Sequence, residues 1–232
     1  DDLEEFHAQR FGPEGLVIAV VGAISPNVAV DEIAKTLGDW SNPHLPEMKT
    51  VPDAPILKDA ISQHMTIPEK SQSDIVMGVA GPSRCSPDYI AAKLGNSVLG
   101  QFGMMGRIGD AVRSKAGLAY YAYSSVSGTI GPGPWYMSAG VHPQNVEKAI
   151  ELIKAEVERI ISEPVSSEEL SDSQSSYIGK LPLALESNAG MAGALLTLER
   201  YELGLDYYQR YQEIIRDVTP EDVLEVARKY LE

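Results

Sequence analysis

The strand-like stretches of this chain lie before residue 143, and nearly everything after it reads as helix. "LVIAVVG" (16–22) is a continuous apolar run, the pattern of a strand buried on both faces. "SQHMTIP" (62–68) and "SDIVMGVAG" (73–81) make one strand pair. Residues 118–127 and 134–142 make another, joined by the glycine- and proline-rich "SGTIGPGP". From Pro143 the period changes: Val146, Ile150, Ile153, Val157 and Ile160 recur at helical spacings. "SSEE" (166–169) is a capping box for the next helix, and Thr219-Pro220 caps the last. Strands gathered apart from helices predict an α+β fold: a mixed, mostly antiparallel sheet with helices packed on one face.

Punctuation divides the chain further. Residues 1–11 carry Leu3, Phe6 and Arg10/Phe11 at spacings of three and four, and Gly12-Pro13 stops that helix. Ser25-Pro26 caps a helix that runs to Leu37. Residues 38–60 hold four prolines and little periodicity, and read as a linker. Residues 61–232 then form the main domain. Within it, Ser86-Pro87 repeats the cap signature, "GQFGMMGRIG" interrupts the helix that follows, and a short helix reaches Lys115. The opening "DDLEEF…RF" echoes "EDVLEV…YL" at the end. Either two amphipathic helices coincide, or the chain is cut from a longer protein of repeated domains. In the second case the strand at 16–22 could fill, by permutation, the sheet slot of a strand expected after residue 232.

The chain of 232 residues is long enough for a sizeable core. Its net charge of −14 repels phosphate backbones, which argues against nucleic acid as a partner. No apolar run approaches the roughly 20 residues of a membrane helix, so no membrane partner is expected. The acidic first residues are not a secretory signal, and the absence of an initiating Met hints at a cut or processed chain. The single Cys85 excludes an internal disulfide and fits a reducing, cytoplasmic compartment.

The residue types that carry chemistry are sparse. The four histidines, His7, His44, His64 and His142, stand far apart in sequence, and a helical zinc motif needs two within a turn or so. "HLPEM" (44–48) sets Glu47 as an HxxEH motif would, but Met48 replaces the second His and Pro46 disfavours the helix. Cys85, beside Arg84 and ahead of a helix start, is a candidate reactive thiol or an inert one. Gly100, Gly103, Gly106 and Gly109 match no nucleotide-binding pattern; they read as a flexible turn or as a loop contacting an extended ligand.

In "DAVRSKAGLAYYAYSSVSG" (110–128), Arg113 precedes Tyr120 by seven residues across a Gly-Leu-Ala hinge. A strand carrying "LAYYAYSSVSG" at a sheet margin can pair with an extended peptide. An Arg at its head offers five donors to a substrate carbonyl or an oxyanion, and the Tyr hydroxyl offers another. The plainer alternative packs Tyr120 under the helix and pairs Arg113 with Asp110 or a helix C-terminus.

Five stretches, in this order, resemble the carboxyl-terminal, non-zinc-binding half of pitrilysin- or insulinase-type metallopeptidases: "DDLEEFHAQRFGPEGLVIAVVGAI", "LGNSVLG", "GRIGDAVRSKAGLAYYAYSS", "WYMSAGVHPQNVEKAIELI" and "TPEDVLEVARKYL". The resemblance implies two similar α+β halves that close around a peptide, with an HxxEH zinc site in the other half only. It also implies that Arg113 and Tyr120 reach the scissile region as substrate-binding residues. This chain then holds no cofactor and is inactive alone; Zn belongs to the missing half, on the same polypeptide or a partner subunit. Its first 37 residues resemble the end of the preceding half. "MMGRIG" keeps Arg107 of the family's "SSRL"-like string and loses the serines. The expected function is the peptide-gripping, catalytically silent half of a zinc metalloendopeptidase. The alternative is a non-proteolytic structural or assembly module of the same descent. A homo-oligomer stays open.

Overall fold

The computed structural model describes the chain apart from residues 47–50 and 55–58, and apart from the side chains of residues 102, 104 and 105. It divides into two units, the larger comprising Pro52–Gly179 and Asp206–Glu232, the smaller Asp1–Val51 and Lys180–Leu205. The proline-rich stretch read as a linker falls partly outside the described residues, as do Glu47 and Met48 of "HLPEM".

The larger unit is built on an antiparallel sheet of β1 (Ser73–Ala80), β2 (Ala119–Val126) and β3 (Pro134–Val141), in the order β1-β3-β2. Alternation gives the sheet two unlike faces. On one, the rows Ile75–Ala139–Ala122, Met77–Met137–Ser124 and Val79–Trp135–Val126 run across the strands. Ala122, Ser124, Trp135 and Ala139 are completely buried there. On the other lie Asp74–Gly140–Tyr121, Val76–Ser138–Tyr123 and Gly78–Tyr136–Ser125. Val76 is 69% exposed and Tyr121, Tyr123 and Tyr136 are half-buried, so this face is the more open of the two.

Helix α3 (Tyr89–Gly100) buries most of its length, and α4 (Phe102–Ile108) follows it. The Trp135 indole N–H donates to Asn96 Oδ1 at 3.0 Å, and Asn96 Nδ2 donates to the Ser124 carbonyl, locking α3 to the sheet through satisfied polar groups. Helix α5 (Val146–Ser162) turns its expected stripe inward, with Ile153 and Ile160 fully buried and Ala149 joining them. The "SSEE" box forms: Ser166 Oγ accepts from Glu169 N–H, and the Glu169 carboxylate accepts from Ser166 N–H. It opens α6 (Ser167–Leu185), whose last residues belong to the smaller unit. Helix α8 (Tyr207–Arg216) and α9 (Pro220–Leu231) complete the layer, with the Thr219/Asp222 capping box in place.

The smaller unit carries α1 (Asp2–Arg10), α2 (Pro26–Leu37) and α7 (Asn188–Arg200). Ser25 caps α2 as expected, and Asn42 Nδ2 donates to the carbonyls of Ala8 and Phe11 at the end of α1. Neither α1 nor α2 has a buried residue.

The structure corrects four local expectations. Residues 16–22 join no ladder, and Leu16, Val17, Ile18 and Val20 are 44–48% exposed. Residues 62–68 form no strand either. A strand needs a neighbour for its backbone groups, and the described residues place none beside these two. Ser86-Pro87 stands two residues ahead of the real start of α3, because Ser86 Oγ accepts from Asp88 N–H in a local turn. The glycine string does not break the chain into loop; it is helical from Phe102 onward and continues as a π-helix, Gly109–Lys115.

Candidate functional site

The π-helical segment sets the site's geometry. Its wide coil closes with the Ala116 N–H on the Ala111 carbonyl and the Leu118 N–H on the Val112 carbonyl. Such coils cost stability in isolation and recur at functional sites. Val112 is fully buried and anchors one side. Arg113, on the next position, is half-buried. The ion pair foreseen for it goes elsewhere: Asp110 takes the Lys115 ammonium at 2.6 Å. Among the described residues, no carboxylate pairs with the Arg113 guanidinium. Gly117 at φ 64° then reverses the chain into β2, a conformation a β-carbon would strain.

Tyr120 owes its position to a bulge. Ala119 stands opposite Val141 and Tyr121 opposite Gly140, so Tyr120 is the extra residue with no partner. Strict alternation would have sent it inward with Ala122 and Ser124. The bulge re-aims it, and it is 82% exposed. It does not pack under the helix. The π segment lies against β2, so Arg113 and Tyr120 leave from adjoining elements. Among the described residues, β2 has no neighbour on its outer edge.

Beyond Tyr120 the open face is lined by phenols. The ring centroids of Tyr121 and Tyr123 are 5.9 Å apart, and those of Tyr123 and Tyr136 are 6.2 Å apart. The Tyr121 hydroxyl donates to Asp74 Oδ1 at 2.9 Å. Hydrogen bonds from Lys70, Gln72 and Tyr121 hold the Asp74 carboxyl down to about 2. Burial, then Asp74, pushes the Tyr121 phenol up. Asp74, Tyr136 and Ser138 escape sequence reasoning because they arrive across strands, through a register no local pattern encodes. The odd-numbered tyrosines of "YYAYSS" were the available signal.

Arg107, retained from the glycine string, is structural here. Its Nε and Nη2 donate to the two Glu169 oxygens at 2.7 Å each, and its side chain is 7% exposed. That fork holds the Glu169 carboxyl down to about 2 and ties α4 to the start of α6. A cavity of about 380 Å³ beside it is lined by Val98, Asp110, Arg159 and Asp172. Cys85 is exposed, and Arg84 beside it is committed to aromatic partners, lying 4.6 Å from the Tyr89 ring and donating to the Tyr207 hydroxyl.

The residues present do not fit a zinc ion. Among the described residues, no three His, Cys, Asp or Glu stand close enough to hold a metal. His142 Nδ1 accepts from the Gln144 N–H, and His7 stacks on Phe11.

A family model described as the peptidase M16 inactive domain matches residues 1–177. The chain belongs to the peptidase M16 inactive-domain family. The resemblance to the non-zinc half of pitrilysin- and insulinase-type metallopeptidases is thereby shown, and the α+β architecture agrees with it. The inactive domain is 25% identical to an uncharacterized zinc protease of Streptomyces coelicolor, over 100% of this chain and 51% of that protein. Its fold matches the M16 inactive domain from Pseudomonas fluorescens with a TM-score of 0.86 at 27% identity, covering 99% of this chain and 54% of that one. A protease from Helicobacter pylori shares the fold at a TM-score of 0.83 and 20% identity, covering 100% and 56%. This M16 inactive domain spans about half the length of the curated relatives it matches.

Proposed function

We propose that this M16 inactive domain is the substrate-gripping half of a zinc metalloendopeptidase. An extended peptide adds to the outer edge of β2 through main-chain hydrogen bonds. Arg113 and Tyr120, at the head of that strand, donate to the peptide carbonyls near the scissile bond and stabilise the oxyanion that develops there. Hydrolysis belongs to an HxxEH-bearing half, in the same polypeptide or a partner subunit. The observation that carries this reading is that, among the described residues, a guanidinium with no carboxylate partner and a bulge-displaced, solvent-facing phenol stand on adjoining elements at the head of an edge strand with no outer neighbour.

The domain organisation follows the same logic. Segment 1–37, which the family model includes, offers its 16–22 run to the sheet of the preceding half, and residues 38–60 link that segment to the rest of the chain. The exposed apolar run 16–22 is the surface that such a sheet would cover.

The test combines the chain with an HxxEH half of one of its zinc-protease relatives and follows peptide turnover. Arg113→Ala lowers kcat by about 100-fold, the scale of losing one oxyanion donor, and Tyr120→Phe lowers it by about 10-fold. Full turnover by both variants would remove the assigned roles and leave a structural, assembly-type module as the better reading.

A further inference from the structure

Pairing inside the π-helix decides whether Arg113 is free. Asp110 and Arg113 are three residues apart, and side chains at that spacing are neighbours on an α-helix. An α-helical turn here would hand the guanidinium to the carboxylate. The π coil is bonded from residue i to i+5, which widens the turn and brings residues five apart over one another. Lys115 is five residues from Asp110, and its ammonium takes that carboxylate at 2.6 Å. The hydrogen bond to Asp110 pushes the Lys115 ammonium up, so the pair keeps both charges at neutral pH.

The other cations beside Asp110 are committed. Arg107 and Arg159 line one cavity with Asp110, Glu168 and Asp172. Arg107 forks onto Glu169, and Arg159 donates to Glu163 at 2.8 Å. Arg113 has no carboxylate partner among the described residues. Without Lys115, Asp110 therefore competes for the guanidinium three residues along its own segment. Both side chains of the existing pair are more than half exposed, so the competition is modest and salt-sensitive.

We propose that Lys115 is a positioning residue: it occupies Asp110 and so keeps the Arg113 guanidinium available to a peptide carbonyl. A guanidinium available for part of the time weakens binding by that fraction. The inference rests on the proposed gripping role of Arg113 and names the residue that protects it.

Anisotropy titrations of the full 232-residue chain with a short, labelled, uncharged polythreonine peptide test it. Lys115→Met weakens binding about 3-fold, the scale of one exposed ion pair. Lys115→Arg, which keeps the charge, binds as wild type does, and adding Asp110→Asn to Lys115→Met restores the affinity. In about 1 M salt the Lys115→Met loss disappears. In NMR of the isotope-labelled chain, Lys115→Met slows exchange of the Arg113 Nε–H with water, and the added Asp110→Asn reverses the change. A merely structural lysine would not be rescued by removing its partner.

A Lys115→Met loss that survives Asp110→Asn, or that is equal in an Arg113→Ala background, overturns the positioning role. Unchanged Arg113 exchange in Lys115→Met overturns it too. If Arg113→Ala weakens binding and Lys115→Met does not, the positioning role falls and the grip stands. Arg113→Ala binding as tightly as wild type, or no binding by wild type, overturns both.

Discussion

Two stretches of this chain present equal claims to a sheet, and one is refused. Residues 134–141 carry a proline, a glycine and a serine, yet they form the central strand, with partners on both edges and Trp135, Met137, Ala139 and Val141 buried. Residues 16–21 are uninterrupted apolar sequence, yet they join no ladder and leave Ile18 44% exposed. Strand formation answers to neighbours rather than to composition, because backbone donors and acceptors need a ladder and side chains need a cover. The central strand finds both within the larger unit. The apolar run finds neither among the described residues.

The largest expected effect lies on the central strand. Trp135→Ala removes a fully buried indole and orphans Asn96 Oδ1, and destabilises the larger unit by about 3–5 kcal/mol in urea titrations. A loss below about 1 kcal/mol would mean that this strand is no better supported than the apolar run.

Next comes the Arg107–Glu169 fork. Glu169→Gln weakens two charge-assisted bonds to a buried guanidinium and costs about 2 kcal/mol at neutral pH. The pH dependence has a definite sign. The Glu169 carboxyl is held down from 4.5 to about 2, so its stabilisation is complete above 4.5 and is lost as pH falls toward 2. Asp74 titrates in the same acid window. The difference between wild-type and Glu169→Gln melting temperatures, narrowing as pH drops through that window, isolates the Glu169 part. A difference independent of pH would contradict it.

The smallest effect is expected in the apolar run. Ile18→Ser changes the stability of the chain alone by no more than about 0.5 kcal/mol, because the side chain is already partly in water. The same change at Ile75, 7% exposed in β1, costs several times more, and paired thermal melts read the contrast directly. Equal losses at the two positions would show that the run is covered within the chain.

Local signals were readable wherever a few neighbouring residues decide the outcome. The Thr219/Asp222 and Ser166/Glu169 boxes form as their spacing predicts, because a cap is a contact across one turn. The α5 stripe turned inward for the same reason, since helical period alone chooses its face. The site was legible only in part. Arg113 and Tyr120 stand out by spacing and resemblance, but the bulge that turns Tyr120 outward depends on the register with Val141 and Gly140. The transfer of Asp110 to Lys115 depends on a π coil that no period announces. Asp74 meets Tyr121 across two strand pairings, a contact spanning 47 residues of chain.

By itself, then, the sequence determined the class of fold, most of the helices with the caps at Ser25, Ser166 and Thr219, the acidic character and the family. Those follow from short-range periodicity, from hydrogen bonds within a turn, and from residues strung in a recognisable order. Only the tertiary structure decided which apolar runs become strands, which face of the sheet is less covered, and which way the side chains at the head of β2 turn. Those outcomes depend on contacts between residues far apart in the chain, where a ladder or a register shift of one residue reassigns every side chain it carries.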